Sequence, residues 1–331
     1  MKVAVLGGGS WGTTVASLCA HNAPTTIYAR RPEVVEGINQ RNENPRYLPG
    51  FGLHNSLVAS PTIAGAASDA DVLVMGVASA GFADTLTEVA PLISADVPIV
   101  SLAKGLDRDT GKRMTELISD VLPDNPVGVL TGPNLAKEIL AGHAAATVIA
   151  FDDVSLAEEL QGIFATDVFR VYTNPDRIGC ELGGALKNVI AIAAGMAGGL
   201  GTGDNTLAAV ITRGLAELTR LGIALGGHEN TFMGLAGMGD LLATCMSPQS
   251  RNRTVGFELG KGRSLDEIVE EMQQVAEGLK SAPVVAELGR QHGVDLPICN
   301  EVCAVVAEGR TAREVYKGLL RRPQQDEVDR H

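Results

Sequence analysis

The chain begins with a short apolar run, Val3-Ala4-Val5-Leu6, that ends at Gly7-Gly8-Gly9-Ser10-Trp11-Gly12. Few sequence features restrict a fold more. A buried strand that turns at once into a helix needs a tight turn at Gly7, open backbone at Gly9 and close helix–strand contact at Gly12. The spacing is G-x-G-x-x-G, and it commits the start of the chain to a strand–turn–helix unit of a parallel sheet. The N–H groups that open such a helix face an anion, and the pyrophosphate of a dinucleotide suits that geometry. In a chain with 39 glycines the spacing alone carries little weight. Its place after a strand, before a helix and ahead of a second strand gives it force.

The rest of the first half continues the pattern. Apolar runs predict strands over residues 3–6, 25–29, 71–77, 98–103, 127–130, 145–150 and 169–173. Helical stretches lie between several of them, at 12–19, 83–90 and 114–121. Such alternation predicts a mostly parallel sheet with helices on both faces, and strands without polar alternation suit burial on both sides. Beyond Pro175 and Gly179 the texture changes to helices alone, at 181–197, 205–225, 254–260, 265–272, 282–292 and 298–306. The expected fold class is α/β: a doubly wound (Rossmann) sheet over residues 1–178 and an all-α domain over 179–331. A length of 331 residues suits two domains. Hydrophobic residues make up 45% and aromatic ones only 4%, so both cores should be aliphatic. The charged stretch from Arg321 is expected to fray.

A net charge of −12 argues against a nucleic-acid partner. It also means that an anionic substrate must be drawn in by local cations against the global field. The cysteines, five and scattered, fit reduced thiols in the cytoplasm. Cys299 and Cys303 could share a helix face, but no further ligands accompany them, and no metal is expected. The first residues are too few in apolar side chains for a signal segment, and no membrane span is expected.

Local cations then become informative. The second strand ends in Ala29-Arg30-Arg31, where an acid would grip a free ribose 2′-hydroxyl. Arginines there suit a 2′-phosphate, so NADP is favoured over NAD; two solvated arginines at a helix start are the alternative. Glu33, after Pro32, suits the first turn of the next helix. Trp11 is expected in a loop against the cofactor, or shielding the sheet edge. Lys104 follows the strand at 98–103, at the end where ligands of doubly wound sheets bind. After the next strand, Gly132 and Pro133 turn the chain and Asn134 can cap a helix. Residues 234–256 are broken by glycines and a proline and read as a long functional loop. At its end Ser250, Arg251 and Asn252 place hydroxyl, guanidinium and amide donors at a helix start, which suits phosphate; an ordinary serine cap followed by surface residues is the alternative.

The most awkward residue is Lys187, in the alanine-rich apolar run ELGGALKNVIAIAAGM. An ammonium there is costly to bury unless paired, and the helix positions that would face it carry Gly183, Gly184, Ile190 and Ala191. Asp240 is a plausible partner from outside the helix. A desolvated lysine is a common proton donor and acceptor, and reduction of a ketone creates an alkoxide that needs a proton. The alternative is a lysine whose stem lies on apolar surface with its head in water.

Together these motifs resemble the bacterial type of NAD(P)-dependent glycerol-3-phosphate dehydrogenase over nearly the whole chain. The matching segments are GGGSWGT, NPRYLPG, LAKG, TGPNLAKE, ELGGALKNVIAIAAGM, GDN with ITRGLAELTRLG, TFMGLAGMGDLLATC and SPQSRNR. The block around Lys187 and the run 232–253 are the specific ones. The resemblance implies reduction of dihydroxyacetone phosphate to sn-glycerol 3-phosphate, for glycerophospholipid synthesis. It implies Lys187 as proton donor and acceptor, and Lys104, Gly132, Asn134, Asp240, Ser250, Arg251 and Asn252 as substrate contacts. It implies cofactor contacts at Ser10, Trp11, Arg30, Arg31 and Tyr47, and at Lys104, Ala136, Arg251, Val275 and Glu277. Asn188 and Thr244 fall where relatives shape the substrate pocket, and a homodimer is expected by analogy. Two positions depart from the pattern: Asn134 stands in place of Ser, and Gly198 in place of Asp. Competing readings are a related hydroxyacid or hydroxyacyl dehydrogenase and a non-catalytic NADPH sensor. The first would call for a histidine base, and the second gives no reason for Lys187.

Overall fold

A computed structural model describes residues 1–272 and 276–320. Its centre is an eight-stranded sheet in the order β3-β2-β1-β4-β5-β6-β7-β8. The strands are β1 (Val3–Leu6), β2 (Thr25–Tyr28), β3 (Val58–Ser60), β4 (Val72–Met75), β5 (Ile99–Ser101), β6 (Val127–Thr131), β7 (Ala145–Phe151) and β8 (Phe169–Asn174). The first six are parallel in the order of a doubly wound dinucleotide fold, β7 runs antiparallel to β6, and β8 is parallel to β7. All seven expected strands are present. The eighth, β3, was not expected, because it is three residues long and Val58 on it is exposed.

Alternation along the strands explains why they read as continuous apolar runs. Val3, Val5, Val72, Val74 and Val100 join one buried cluster, with Val15 and Leu18 of the helix Ser10–Cys19. Their neighbours Ala4, Leu6, Leu73, Met75 and Ile99 join another on the opposite face, with Phe82, Leu86, Met114 and Ile118. Successive side chains leave a strand on opposite faces, so a sheet covered on both sides needs every position apolar. Val129, Val148 and Ala150 gather a third cluster with Cys180 and Ala236.

The described chain forms two compact units. One comprises Met1–Lys187 with Leu218–Ala243; the other comprises Asn188–Glu217 with the residues from Thr244 on. The change from strand to helix falls between β8 and the helix Arg177–Gly199. The compact units are cut differently, because Cys180 on that helix packs on β6 and β7 and keeps its first turns with the sheet. The helix is long and apolar enough to cross a bilayer, yet 94% of that stretch is buried inside protein. It is a core helix.

In the second unit, close helix contact is set by glycine. A Cβ at Gly195 or Gly199 would overlap the Arg253 or Phe257 carbonyl, and one at Gly256 would overlap the Ile192 carbonyl. Both helices therefore present glycines four residues apart at the crossing, Gly195 and Gly199 against Gly256 and Gly260. Gly256→Ala is expected to force them apart and to cost about 3 kcal/mol of stability, as overpacked contacts do. Urea denaturation checks this, and an unchanged midpoint contradicts it. Glu217, also buried, accepts the Ile298 and Cys299 N–H groups at 2.7 and 3.0 Å and so closes the start of the helix Pro297–Glu308.

Three local expectations fail. Residues 234–256 are not one loop: a π-turn at Leu235–Gly239 runs into the helix Asp240–Met246, and the helix Arg251–Gly260 begins after a short break. The glycines there serve contact, since a Cβ at Gly237 would overlap the Phe232 carbonyl. Trp11 sits in the first turn of the helix Ser10–Cys19, not in a loop, with its ring edge-to-face on Phe169. Asn134 does not cap; the residue before the helix Ala136–Leu140 is Leu135, and it makes no side-chain cap. Residues from Arg321 lie outside the described residues.

Candidate active site

The glycine loop separates into three roles. Gly7 has φ +130°, where a side chain is strained. A Cβ at Gly12 would overlap the Gly7 carbonyl, so helix and turn touch there. At Gly9 nothing lies within 4 Å of where a Cβ would stand. Gly9 also precedes the helix Ser10–Cys19, and no side chain caps that end. The opening N–H groups of the helix, which have no partner within it, thus lie beside open space at Gly9. These residues fit a dinucleotide pyrophosphate.

The loop is held by a residue that sequence reasoning missed. Asn44, fully buried, donates to the Gly8 carbonyl and to Thr13 Oγ1, both at 2.9 Å, and accepts the Tyr47 N–H at 3.2 Å. Ser10 Oγ donates to the Tyr47 carbonyl at 3.3 Å. Asn44 opens the segment NPRYLPG, but its role is hidden there because its side chain acts on Gly8 and Thr13, distant in the chain.

At the end of β2, Arg30 is exposed and Arg31 half-buried. Arg31 Nη1 lies 3.9 Å from Glu33, in the first turn of the helix Pro32–Arg41, while its buried Nε has no partner among the described residues. Arg46 lies over the Tyr47 ring at 5.6 Å. Burial pushes the Tyr47 hydroxyl up, but hydrogen bonds and charge from Arg46 and Arg31 outweigh it and hold it below the usual phenol range. Three arginines and a polarised phenol make this corner cationic, which fits a phosphate on the ribose.

The amines sit beyond the carboxyl ends of β5 and β6. Lys187 is 4% exposed and donates to Asp240 Oδ1 at 2.6 Å. Lys104 donates to Asp240 Oδ2 at 2.6 Å and to the Gly132 carbonyl at 2.8 Å. One buried carboxylate therefore receives two ammonium groups, one on each oxygen. Burial and the neighbouring Lys187 charge lower Lys104 to about 8, against the opposing pull of Asp240. Gly184 makes room: a Cβ there would lie 2.7 Å from Thr131 Oγ1 and 3.6 Å from Lys104 Cγ. Gly132 has φ +149°, again a glycine position, and its Cβ would crowd Thr147.

Asn134 donates to Thr147 Oγ1 at 3.1 Å, and Thr147 donates to the Thr131 carbonyl at 2.8 Å. Asn134 Oδ1 and Thr131 Oγ1 are buried with no partner among the described residues. Unpaired buried oxygens are costly, so this pair favours a ligand able to hydrogen-bond beside the Gly132 turn. Ala136 opens the short helix Ala136–Leu140.

In the second unit, Ser250 does cap a helix, accepting the Arg253 N–H at 3.3 Å, and Arg251 and Asn252 occupy its first turn. Arg251 is exposed and feels the charge of Glu277, the first residue of the helix Glu277–His292. Asn252 is largely committed: it donates to Asn188 Oδ1 at 2.8 Å and accepts the Gly278 N–H at 2.9 Å. It braces this helix start, with one side-chain N–H that has no hydrogen-bond partner among the described residues. Thr244 is buried. Val275 lies outside the described residues.

A doubly wound sheet with an open glycine turn, and buried amines at its strand ends, defines a dinucleotide-dependent oxidoreductase. The comparisons narrow that class. Residues 2–157 match the model of the NAD-dependent glycerol-3-phosphate dehydrogenase N-terminus, and residues 176–317 match that of its C-terminus. The chain belongs to this family. It is 57% identical to a glycerol-3-phosphate dehydrogenase (NAD(P)+) of Sphingopyxis alaskensis, over 99% of this chain and 98% of that protein. It is 51% identical to one of Mycobacterium avium, over 96% of this chain and 94% of that protein. The crystal structure of glycerol-3-phosphate dehydrogenase from Coxiella burnetii matches with a TM-score of 0.92 at 34% identity, covering 97% of this chain and 99% of that one.

Proposed function

We propose that this chain reduces dihydroxyacetone phosphate to sn-glycerol 3-phosphate with NAD(P)H, and that Lys187 handles the proton. The observation that carries the reading is the buried amine of Lys187, held on Asp240 at 2.6 Å. The nicotinamide, when bound, supplies the hydride to the ketone carbon. Lys187 gives its proton to the ketone oxygen as the hydroxyl forms, and takes it back in oxidation. Lys104 holds positive charge beside it, and Asp240 keeps both amines in place. Gly132, Asn134 and Thr131 offer polar atoms to the substrate's oxygens. Ser250, Arg251 and Asn252 take the phosphate, where an arginine fork is the strongest single grip.

Gly7, Gly9 and Gly12, with the helix start at Ser10 and Trp11, hold the dinucleotide. Arg30, Arg31 and Tyr47 favour NADPH through its 2′-phosphate, and Ala136, Val275 and Glu277 complete the cofactor set. The product suits glycerophospholipid synthesis. Five free cysteines support a reducing, cytoplasmic setting, and the resemblance supports a homodimer, which sedimentation measures directly.

The test is NAD(P)H oxidation followed with dihydroxyacetone phosphate and with unphosphorylated dihydroxyacetone. The phosphorylated ketone should be preferred by on the order of 10³-fold in kcat/KM, since a site built to bind a charged group rejects its absence. NADPH should outperform NADH. Equal use of the two ketones removes the phosphate site, and equal use of the cofactors makes the arginines bystanders. A pH prediction follows from Lys104. Its charge is present below about 8 and lost above it, so kcat/KM for the phosphorylated ketone should fall as pH rises through that value. A profile flat to pH 10 contradicts this.

A further inference from the structure

A second buried charge lies on the helix that carries Lys187, and the reaction as described makes no use of it. Glu181 is 2% exposed. It accepts the Thr115 N–H at 3.0 Å, the Thr115 hydroxyl at 2.5 Å and Arg113 Nη1 at 3.3 Å. Burial raises its carboxyl above the usual range despite Thr115 and Arg113. Such a group is expensive to keep, so its placement calls for a reason.

Its partners supply one. Arg113 pairs as an antiparallel bridge with Leu106, two residues after Lys104. The loop that leaves β5 through Lys104 therefore returns to its own start at Arg113, pinned by the Asp107 N–H on the Lys112 carbonyl at 2.8 Å. The helix Met114–Val121 begins there, with Glu116 accepting the Arg113 N–H at 2.8 Å. On the other side, Glu181, Gly184 and Lys187 are spaced three apart along the helix Arg177–Gly199, so that Gly184 adjoins each of the other two. Gly184 is where the Lys104 stem passes, with Cγ 3.6 Å from the place of a Cβ. The clamp at Glu181 thus lies one turn from that passage.

We propose that Glu181 is a positioning residue: with Arg113 and Thr115 it straps the loop that begins at Lys104 to the helix that carries Lys187. The strap fixes the spacing of the two amines that share Asp240. Nothing in it touches substrate or cofactor; it acts through Lys104. The inference rests on the reading of Lys187 and Lys104 given above.

The test is Glu181→Gln, which keeps the size but sets an amide N–H against Arg113, together with Arg113→Ala. In both, kcat/KM for dihydroxyacetone phosphate should fall about tenfold, while KM for NADPH stays within about twofold. A looser Lys104 is better hydrated, so the alkaline limb of the pH profile should move up by about one unit from its wild-type position. A folded Glu181→Gln enzyme with wild-type kcat/KM and an unmoved limb overturns the proposal. A lower rate with the limb unmoved also overturns it, since the role is then only structural. Where Glu181→Gln does not fold, Thr115→Val removes a single hydroxyl and is read in the same way. Lys187→Ala assayed alongside separates the two readings. Normal turnover in Lys187→Ala removes the reading on which the strap rests, whereas an inactive Lys187→Ala beside a wild-type-like Glu181→Gln removes the strap alone.

Discussion

Asp240→Asn is expected to lose turnover and stability together, and to recover part of the stability at high pH. The wild-type carboxylate accepts from Lys187 on one oxygen and from Lys104 on the other, both at 2.6 Å. An asparagine offers one acceptor and turns an N–H₂ towards the second ammonium. Two amines, with side chains 6% and 18% exposed, then lose the carboxylate they share. Removing one partner of a buried charge pair costs about 3–5 kcal/mol. The variant relieves this by releasing a proton, which leaves less positive charge for an anionic substrate.

The pH dependence has a definite sign. Lys104, already at about 8 in the wild type, loses the one influence that raises it and falls further below its unfolded value. Between the folded and unfolded values the unfolded chain binds more protons, so stability from this group rises with pH. The stability gap between variant and wild type should therefore narrow between pH 7 and 10, as read by urea midpoints. A variant as stable as wild type at pH 7 contradicts the shared-carboxylate description.

How far the sequence alone reached depends on what each residue contrasts with. The roles of Gly7, Gly9 and Gly12 were legible because only glycine meets those three demands at that spacing. Lys187 was legible because a charge stands out in an apolar helix, and a partner outside the helix followed from its neighbours. The same contrast marks Glu181, six residues earlier in that run. Asp240 reaches Lys104 across 136 positions of chain, a pairing that no local pattern encodes. Residues 234–256 misled because glycine interrupts helical periodicity. Gly237 and Gly256 are there to let backbones meet, and a glycine in close contact looks the same in sequence as one in a loop. Asn44 stands in the recognised segment NPRYLPG, but its reach to Gly8 and Thr13 is not encoded locally, and β3 is a three-residue strand with an exposed valine.

Lys187→Ala is the variant with the largest expected effect on turnover. The glycine loop, Asn44 and the arginine corner do not involve Lys187, so NADPH binding should stand. The fold should stand as well, since Asp240 keeps Lys104, whose own amine is eased once the Lys187 charge that lowers it is gone. What is lost is the positioned proton, and general acid catalysis of this kind contributes about 10²–10⁴-fold. The decisive measurement pairs a fluorescence titration of NADPH with turnover of saturating dihydroxyacetone phosphate in this variant. The account predicts cofactor affinity within about twofold of wild type and turnover lower by on the order of 10³-fold. Turnover within about tenfold of wild type, with the cofactor bound normally, contradicts the role given to Lys187.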